Sequence, residues 1–222
     1  MQTPLVLRLT ATNSLRIIEL VVSLGPSAGY VWAHFTFGRY NKAMEDYFLA
    51  KLIASVDRID SRKRLQKAIY MLQFRQGFPL HLHYFLHYYG PFSRDLAQLM
   101  DQLKGSDIIS EEENSGGLGF SSQITPRGKS VLAKFEESKT GRELKDRIDT
   151  FIDTFRNTIN ERSWELELAS TIAYYYQASK DWGRAKDRTA HFKKVDPENA
   201  TLRDALRLAK RAVGSDGAQT VS

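Results

Sequence analysis

From residue 44 onward the hydrophobic positions fall mostly into helical periods. In "MEDYFLAKLIASVD", Leu49, Leu52, Ile53 and Val56 are spaced to share one helix face. The following stretch "SRKRLQKAIYMLQFRQG" (61–77) puts Leu65, Ile69 and Leu72 on a buried face, with Ala68 and Met71 beside it. Ser61 offers that helix an N-cap, and Gly77 offers a left-handed stop. Then the period changes. "LHLHYFLHYYGP" (80–91) is aromatic and nearly alternating, which predicts a strand broken at Gly90-Pro91. Ser93 caps "RDLAQLMDQLKG", where Leu96, Leu99, Met100 and Leu103 recur at i, i+3, i+4 and i+7. A short strand "DIIS", a turn "EEENSGG" and a returning strand "LGFSSQIT" complete the segment.

Beyond Thr125 the pattern is helical to near the end. Pro126 suits the first position of "PRGKSVLAKFEES". Leu144, Ile148, Phe151, Ile152 and Phe155 stripe the next helix. Ser163 caps "SWELELASTIAYYYQAS", with Trp164, Leu168, Ile172 and Tyr175 along one side. "DWGRAKDRTAHFKKV" and "ENATLRDALRLAKRAV" finish the helical part, and the tail 214–222 is expected to be disordered. The predicted fold is therefore mainly α, locally α+β. A winged helix-turn-helix with a three-strand wing sheet occupies 44–136, and an all-helical extension occupies 137–213.

Residues 1–43 differ. They lack helical periodicity and end in "YVWAHFTFGRYNKA" before Met44. Two readings stand: an extension upstream of a natural start at Met44, disordered or loosely packed, or an ordinary N-terminal strand and arm. The stretch "IIELVVSLGPSAGYVWA" (17–33) approaches a signal peptide, but Glu19 interrupts its apolar run.

Charge changes the picture only slightly. The chain has 32 Lys+Arg against 26 Asp+Glu, formally +6. The excess is +3 over residues 1–43, +1 over 44–136 and +2 over 137–222, so the winged-helix segment is nearly neutral. A basic total is then weak support for nucleic acid. With no cysteine there is no disulfide framework, zinc-thiolate site or Cys nucleophile, which fits a reducing cytoplasm. No apolar run approaches the length of a membrane span, and no membrane partner is expected.

Residues 61–136 resemble the YwgA-type family of small bacterial winged-helix proteins. They are more distantly similar to the Panacea antitoxin group. The resemblance is carried by "KRLQKAIYMLQ" (63–73), "HYYGPFSRDLAQLMDQL" (87–103), the wing and "ITPRGKSVL" (124–132). It implies a fold and a regulatory or partner-binding role, and no reaction.

Candidate chemistry is sparse. His81, His83 and His87 share a face if 80–91 is a regular strand, but His81 and His87 would then stand roughly 20 Å apart, too far to share one ion. No metal or other cofactor is expected. No G-x-S-x-G, H-E-x-x-H or P-loop is present, and the glycines of "ENSGGLG" do not open a helix. The expected protein is non-enzymatic.

Double-stranded DNA is the first expected partner, bound by a regulator. The helix capped by Ser93 would enter the major groove, with Arg94, Gln98, Gln102 and Lys104 facing bases or phosphates. Arg58, Arg62, Lys63, Arg64 and Lys67 would hold the backbone. Against this, Asp95 and Asp101 cancel that helix's charge, and Glu111, Glu112 and Glu113 open the wing. The alternative is a protein-interaction module, antitoxin-like or a defence-system adaptor. It would use the aromatic stretch containing Tyr88, Tyr89 and Phe92, or the run Tyr174, Tyr175 and Tyr176. A homodimer through the C-terminal helices is a further expectation.

Overall fold

The structure is a computed structural model that describes residues 6–12, 15–23, 30–80, 82–114 and 119–214. The chain divides into two compact units, Met1–Tyr47 and Phe48–Ser222. In the first, β1 (Val6–Thr12), β2 (Leu15–Ser23) and β3 (Tyr30–Thr36) form an antiparallel meander in that order. Val6 lies opposite Val21, and Ile17 opposite Thr36. The stretch expected either as a loose extension or as a strand and arm thus contains three strands. Helix α1 (Phe37–Ala54) begins ahead of Met44.

The second unit is mainly helical. It comprises the end of α1, α2 (Arg62–Leu72), the strands β4 (Phe85–His87) and β5 (Gly90–Phe92), α3 (Arg94–Gly105), and the strands β6 (Ile109–Glu113) and β7 (Phe120–Ile124). The helices α4 (Pro126–Glu136), α5 (Lys139–Ile159), α6 (Ser163–Ser179), α7 (Trp182–Lys193) and α8 (Ala200–Val213) follow.

The three-strand sheet expected from 80–91, "DIIS" and "LGFSSQIT" does not form. Two separate two-stranded hairpins take its place, β4–β5 and β6–β7. The first half of 80–91 is spent on burial: Leu80 and Leu82 pack into the interior as irregular chain. Only Phe85–His87 remains to pair, and Gly90, at φ +91, turns the chain back on itself. What reaches β7 from outside is Ile59, through a single bridge to Ser122 with both N–H···O bonds at 2.9 Å.

Capping follows the sequence at three helices and fails at α6, where Ser163 is the first helical residue and Arg162 stands at the N-cap with no side-chain cap bond. Ser93 Oγ accepts from Leu96 N–H, Thr125 Oγ1 from Gly128 N–H, and Ser61 from Lys63 N–H. Helix α2 stops at Leu72 rather than running to Gly77, which adopts φ +80 in the loop beyond. It is the centre of the unit. Every residue from Leu65 to Leu72 is buried, and the helix touches α5, α6, α8, β5 and β7. Tyr70 and Met71 join Leu166, Leu168, Ala169, Ile172, Ala185, Leu202 and Ala205 in a core shared with α6, α7 and α8. On the other side Phe48, Leu52, Ile53, Leu96, Met100 and Phe155 are buried. Among the described residues no helix is long and apolar enough to cross a membrane.

Candidate functional site

The basic side chains of α2 turn mostly inward. Arg62 makes a two-pronged pair with Glu111 of β6, Nε and Nη2 each 2.7 Å from a carboxylate oxygen, and Nη2 also reaches Asp101 of α3 at 2.7 Å. The Glu111 side chain is 1% exposed. Burial works to raise its pKa, but Arg62, Ser122 and Lys104 overturn that and hold it below the usual carboxylate range. The hydrogen bond to Glu111 in turn raises Arg62 above its ordinary value, despite partial burial.

Arg64 serves a neighbouring helix. It donates to the carbonyls of Ile159 at 2.7 Å and Glu161 at 2.5 Å, and to Ser163 Oγ at 3.3 Å, satisfying the C-terminal carbonyls of α5. Lys67 is 5% exposed and donates to Pro91 O at 3.1 Å. Of the five candidates for phosphate contact, only Arg58 and Lys63 are fully on the surface. Arg58 bonds Asn114 at 3.2 Å and lies 3.5 Å from Asp60. Lys63 lies over the Tyr89 ring, 4.5 Å from its centroid.

Helix α3 keeps Arg94 and Gln98 exposed. Of its other candidates, Lys104 is engaged and Gln102 is partly withdrawn from solvent. Lys104 lies 3.4 Å from Glu111 and 5.5 Å from the Phe120 ring. Gln102 is half-buried, with its Oε1 unbonded. The carboxylates of the acidic hairpin therefore divide: Glu111 neutralises Arg62 and Lys104 from within, while Glu112 and Glu113 face solvent.

The hairpin β4–β5 is fastened from three helices. Lys67 of α2 holds the Pro91 carbonyl, and Lys193 of α7 donates to Tyr88 O and to Glu167 of α6. Gly90 sits so close to α6 that a Cβ would stand 3.2 Å from Thr171 Oγ1 and 3.3 Å from Ser170 Oγ. Burial drives the Lys67 pKa down to about 8; Glu167 opposes this, and Lys193 and Lys63 add to it. The fastening leaves the ring-bearing tip outside. Tyr88 is 68% and Tyr89 46% exposed, edge-on to each other at 5.2 Å. Phe85 and Trp164 are exposed as well. Phe92 is half-buried and edge-on to Phe85 at 5.6 Å.

No protein-family model matches the chain. Uncharacterized protein YwgA of Bacillus subtilis (strain 168) is 31% identical to it over 130 residues, 57% of this chain and 72% of the relative. The chain belongs to the YwgA family. The match bears on the expected YwgA resemblance and carries nothing about the Panacea group.

In this YwgA-family chain the run Tyr174–Tyr176 is claimed by internal packing. Tyr174 leans on Tyr70 at 6.0 Å. Tyr175 is edge-on to Phe192 at 6.3 Å, with Arg188 4.6 Å from its ring. Tyr176 stacks flat on Trp182 at 3.7 Å. His83 bonds Asp95 at 3.1 Å, and His81 lies outside the described residues. Among the described residues no three His, Asp or Glu side chains gather as a metal site. Sequence reasoning did not bring Glu167, Lys193 or Trp164 to the hairpin, which they meet only through tertiary contact. It also missed that Glu111 is a buried partner of Arg62. The signal for that last pairing was present in the cationic first turn of α2, which lacks the anions a helix N-terminus favours.

Proposed function

We propose that this chain is a non-enzymatic protein-interaction module on a winged-helix frame, with the β4–β5 hairpin as its binding face. The order α1, the Ile59 bridge, α2, β4–β5, α3, β6, β7 supports the winged-helix frame if the β4–β5 hairpin is read as an insertion and the bridge as a reduced third wing strand. The observation that carries the reading is the pair Tyr88 and Tyr89, held out to solvent on a hairpin whose backbone is fastened by the buried Lys67 and by Lys193. Large rigid rings on a preorganised support are the composition of binding hot spots.

The DNA-regulator reading is second. Arg94 and Gln98 favour it, both exposed on α3. Against it, Arg62, Arg64 and Lys67 spend their donors inside the molecule. Phosphate neutralisation supplies most of the affinity of duplex binders, so few free cations mean weak binding.

The test is an anisotropy titration with mixed-sequence duplex at roughly 50 and 200 mM salt, for the wild type and for Tyr88→Ala/Tyr89→Ala. No binding is expected at either salt. Tight binding that collapses between the two would reverse the order of the readings. In parallel, affinity capture with both proteins should return a partner that only the wild type retains.

A further inference from the structure

We propose that the β4–β5 face receives an acidic segment of a partner protein. Its carboxylates would meet Lys63 and Arg94, and an apolar or aromatic side chain would lie on Tyr88, Tyr89 and Phe85. This rests on the protein-binding reading above and adds the chemistry of what binds.

Four cations approach the hairpin: Lys63 over Tyr89, Arg94 at 5.9 Å from the Phe85 ring, Lys67 at Pro91 O, and Lys193 under Tyr88 and Trp164. Two carboxylates approach it, and both are engaged. Glu167 is paired with Lys193, and Asp95 is bonded by the backbone and ring of His83. Glu165 lies nearby in sequence but is matched by Arg162 at 3.7 Å. The face therefore carries two cations in excess. The two that remain exposed, Lys63 and Arg94, have no carboxylate partner among the described residues.

Elsewhere in the same unit the chain supplies some such partners itself. Arg62 and Lys104 have Glu111, Lys51 has Glu136, and Arg211 has Glu161. Other exposed cations, such as Arg127, Lys129 and Lys134, also lack one among the described residues, and Lys63 and Arg94 differ from them in lying over exposed rings. An ammonium or guanidinium on a ring face keeps its outward side free for an incoming carboxylate, and the ring gives that contact a dry floor. The exposed acids Glu112 and Glu113 sit on the other hairpin, β6–β7, so an acidic ligand is steered toward β4–β5 and away from β6–β7.

A displayed library of random dodecapeptides, selected on the full chain and counter-selected on Tyr88→Ala/Tyr89→Ala, tests this. The enriched peptides should carry net negative charge and at least one aromatic or large aliphatic residue. Synthesised and labelled, they should lose at least about tenfold in affinity on the double variant, because exposed tyrosines of this kind act as hot spots. They should weaken between roughly 50 and 300 mM salt. Lys63→Glu, a change at a surface position, should weaken the same peptides and leave the thermal unfolding midpoint in place.

Enriched peptides that depend on the hairpin but are neutral or basic would overturn the acidic-partner proposal and leave the protein-binding reading standing. No hairpin-dependent peptide at all would overturn both. Full displacement of the peptides by single-stranded oligothymidylate at comparable concentration would also overturn the proposal, and would make nucleic acid the occupant.

Discussion

Replacing Lys67 by methionine isolates the effect of a buried ammonium at the centre of this molecule. Burial takes the Lys67 pKa from the ordinary 10.5 down to about 8. In the unfolded chain the same amine titrates near its ordinary value, about 10.4. Below the folded pKa both states are charged, and the whole cost of burying the charge is present. Between the two pKa values the unfolded chain holds a proton that the folded chain lacks, so stability rises with pH. The shift corresponds to a gain of about 3 kcal/mol across the window, with a slope of about 1 kcal/mol per pH unit near pH 9. Tyr70 and Tyr84 act oppositely at higher pH. Burial raises both phenols, so the unfolded forms ionise first, and stability falls above about pH 10. Methionine is unbranched, of similar length, and fills the same slot without the charge. Urea unfolding followed by circular dichroism at about pH 7.5, 8.5 and 9.5 should show the rise in the wild type and its loss in Lys67→Met. Parallel curves for the two proteins would refute the buried-ammonium argument.

Two further perturbations address the pairings around it. Glu111→Gln takes away the anion of Lys104 and one of the two anions of Arg62, which keeps Asp101, and should cost about 1.5–3 kcal/mol in urea unfolding, in line with charge-assisted hydrogen bonds. The same variant removes one negative charge beside Arg62 and Lys104, so it should bind mixed-sequence duplex at low salt more tightly than the wild type in anisotropy titrations. Gly90→Ala places a Cβ at a left-handed backbone position and 3.2–3.3 Å from three α6 and α2 side-chain atoms. It should destabilise the chain by about 1–3 kcal/mol and raise amide exchange across residues 85–92 more than elsewhere.

Much of the architecture is written in local pattern. Ser93, Thr125 and Pro126 mark helix starts where they are found, because capping depends on residues within one turn. The apolar stripe of α5 is read correctly at Leu144, Ile148, Phe151 and Phe155, because each is spaced for one face. Residues 80–91 were not legible as they stand. Alternation predicts a strand, but Leu80 and Leu82 are drawn into the core, and only three residues are left to pair. The site was less legible still. Arg62 finds Asp101 and Glu111 across 39 and 49 residues, and Lys193 finds the hairpin across 105. Nothing in local spacing announces such partners. A cluster of five basic residues on one stretch therefore reads as a single phosphate-binding patch, while the folded chain sends its members to a carboxylate, a helix end and a backbone carbonyl.

The tie from Lys193 to the Tyr88 carbonyl has a bearing on how this chain can be divided. The hairpin is made by residues in the middle of the sequence, but one of its two fasteners arrives from α7. The surface against which Gly90 rests belongs to α6. A gene cut after residue 136 would keep both two-stranded hairpins and lose both the peg and the wall that hold the tyrosines out. In assembly terms, the C-terminal helices are the mount for the hairpin rather than an accessory to it.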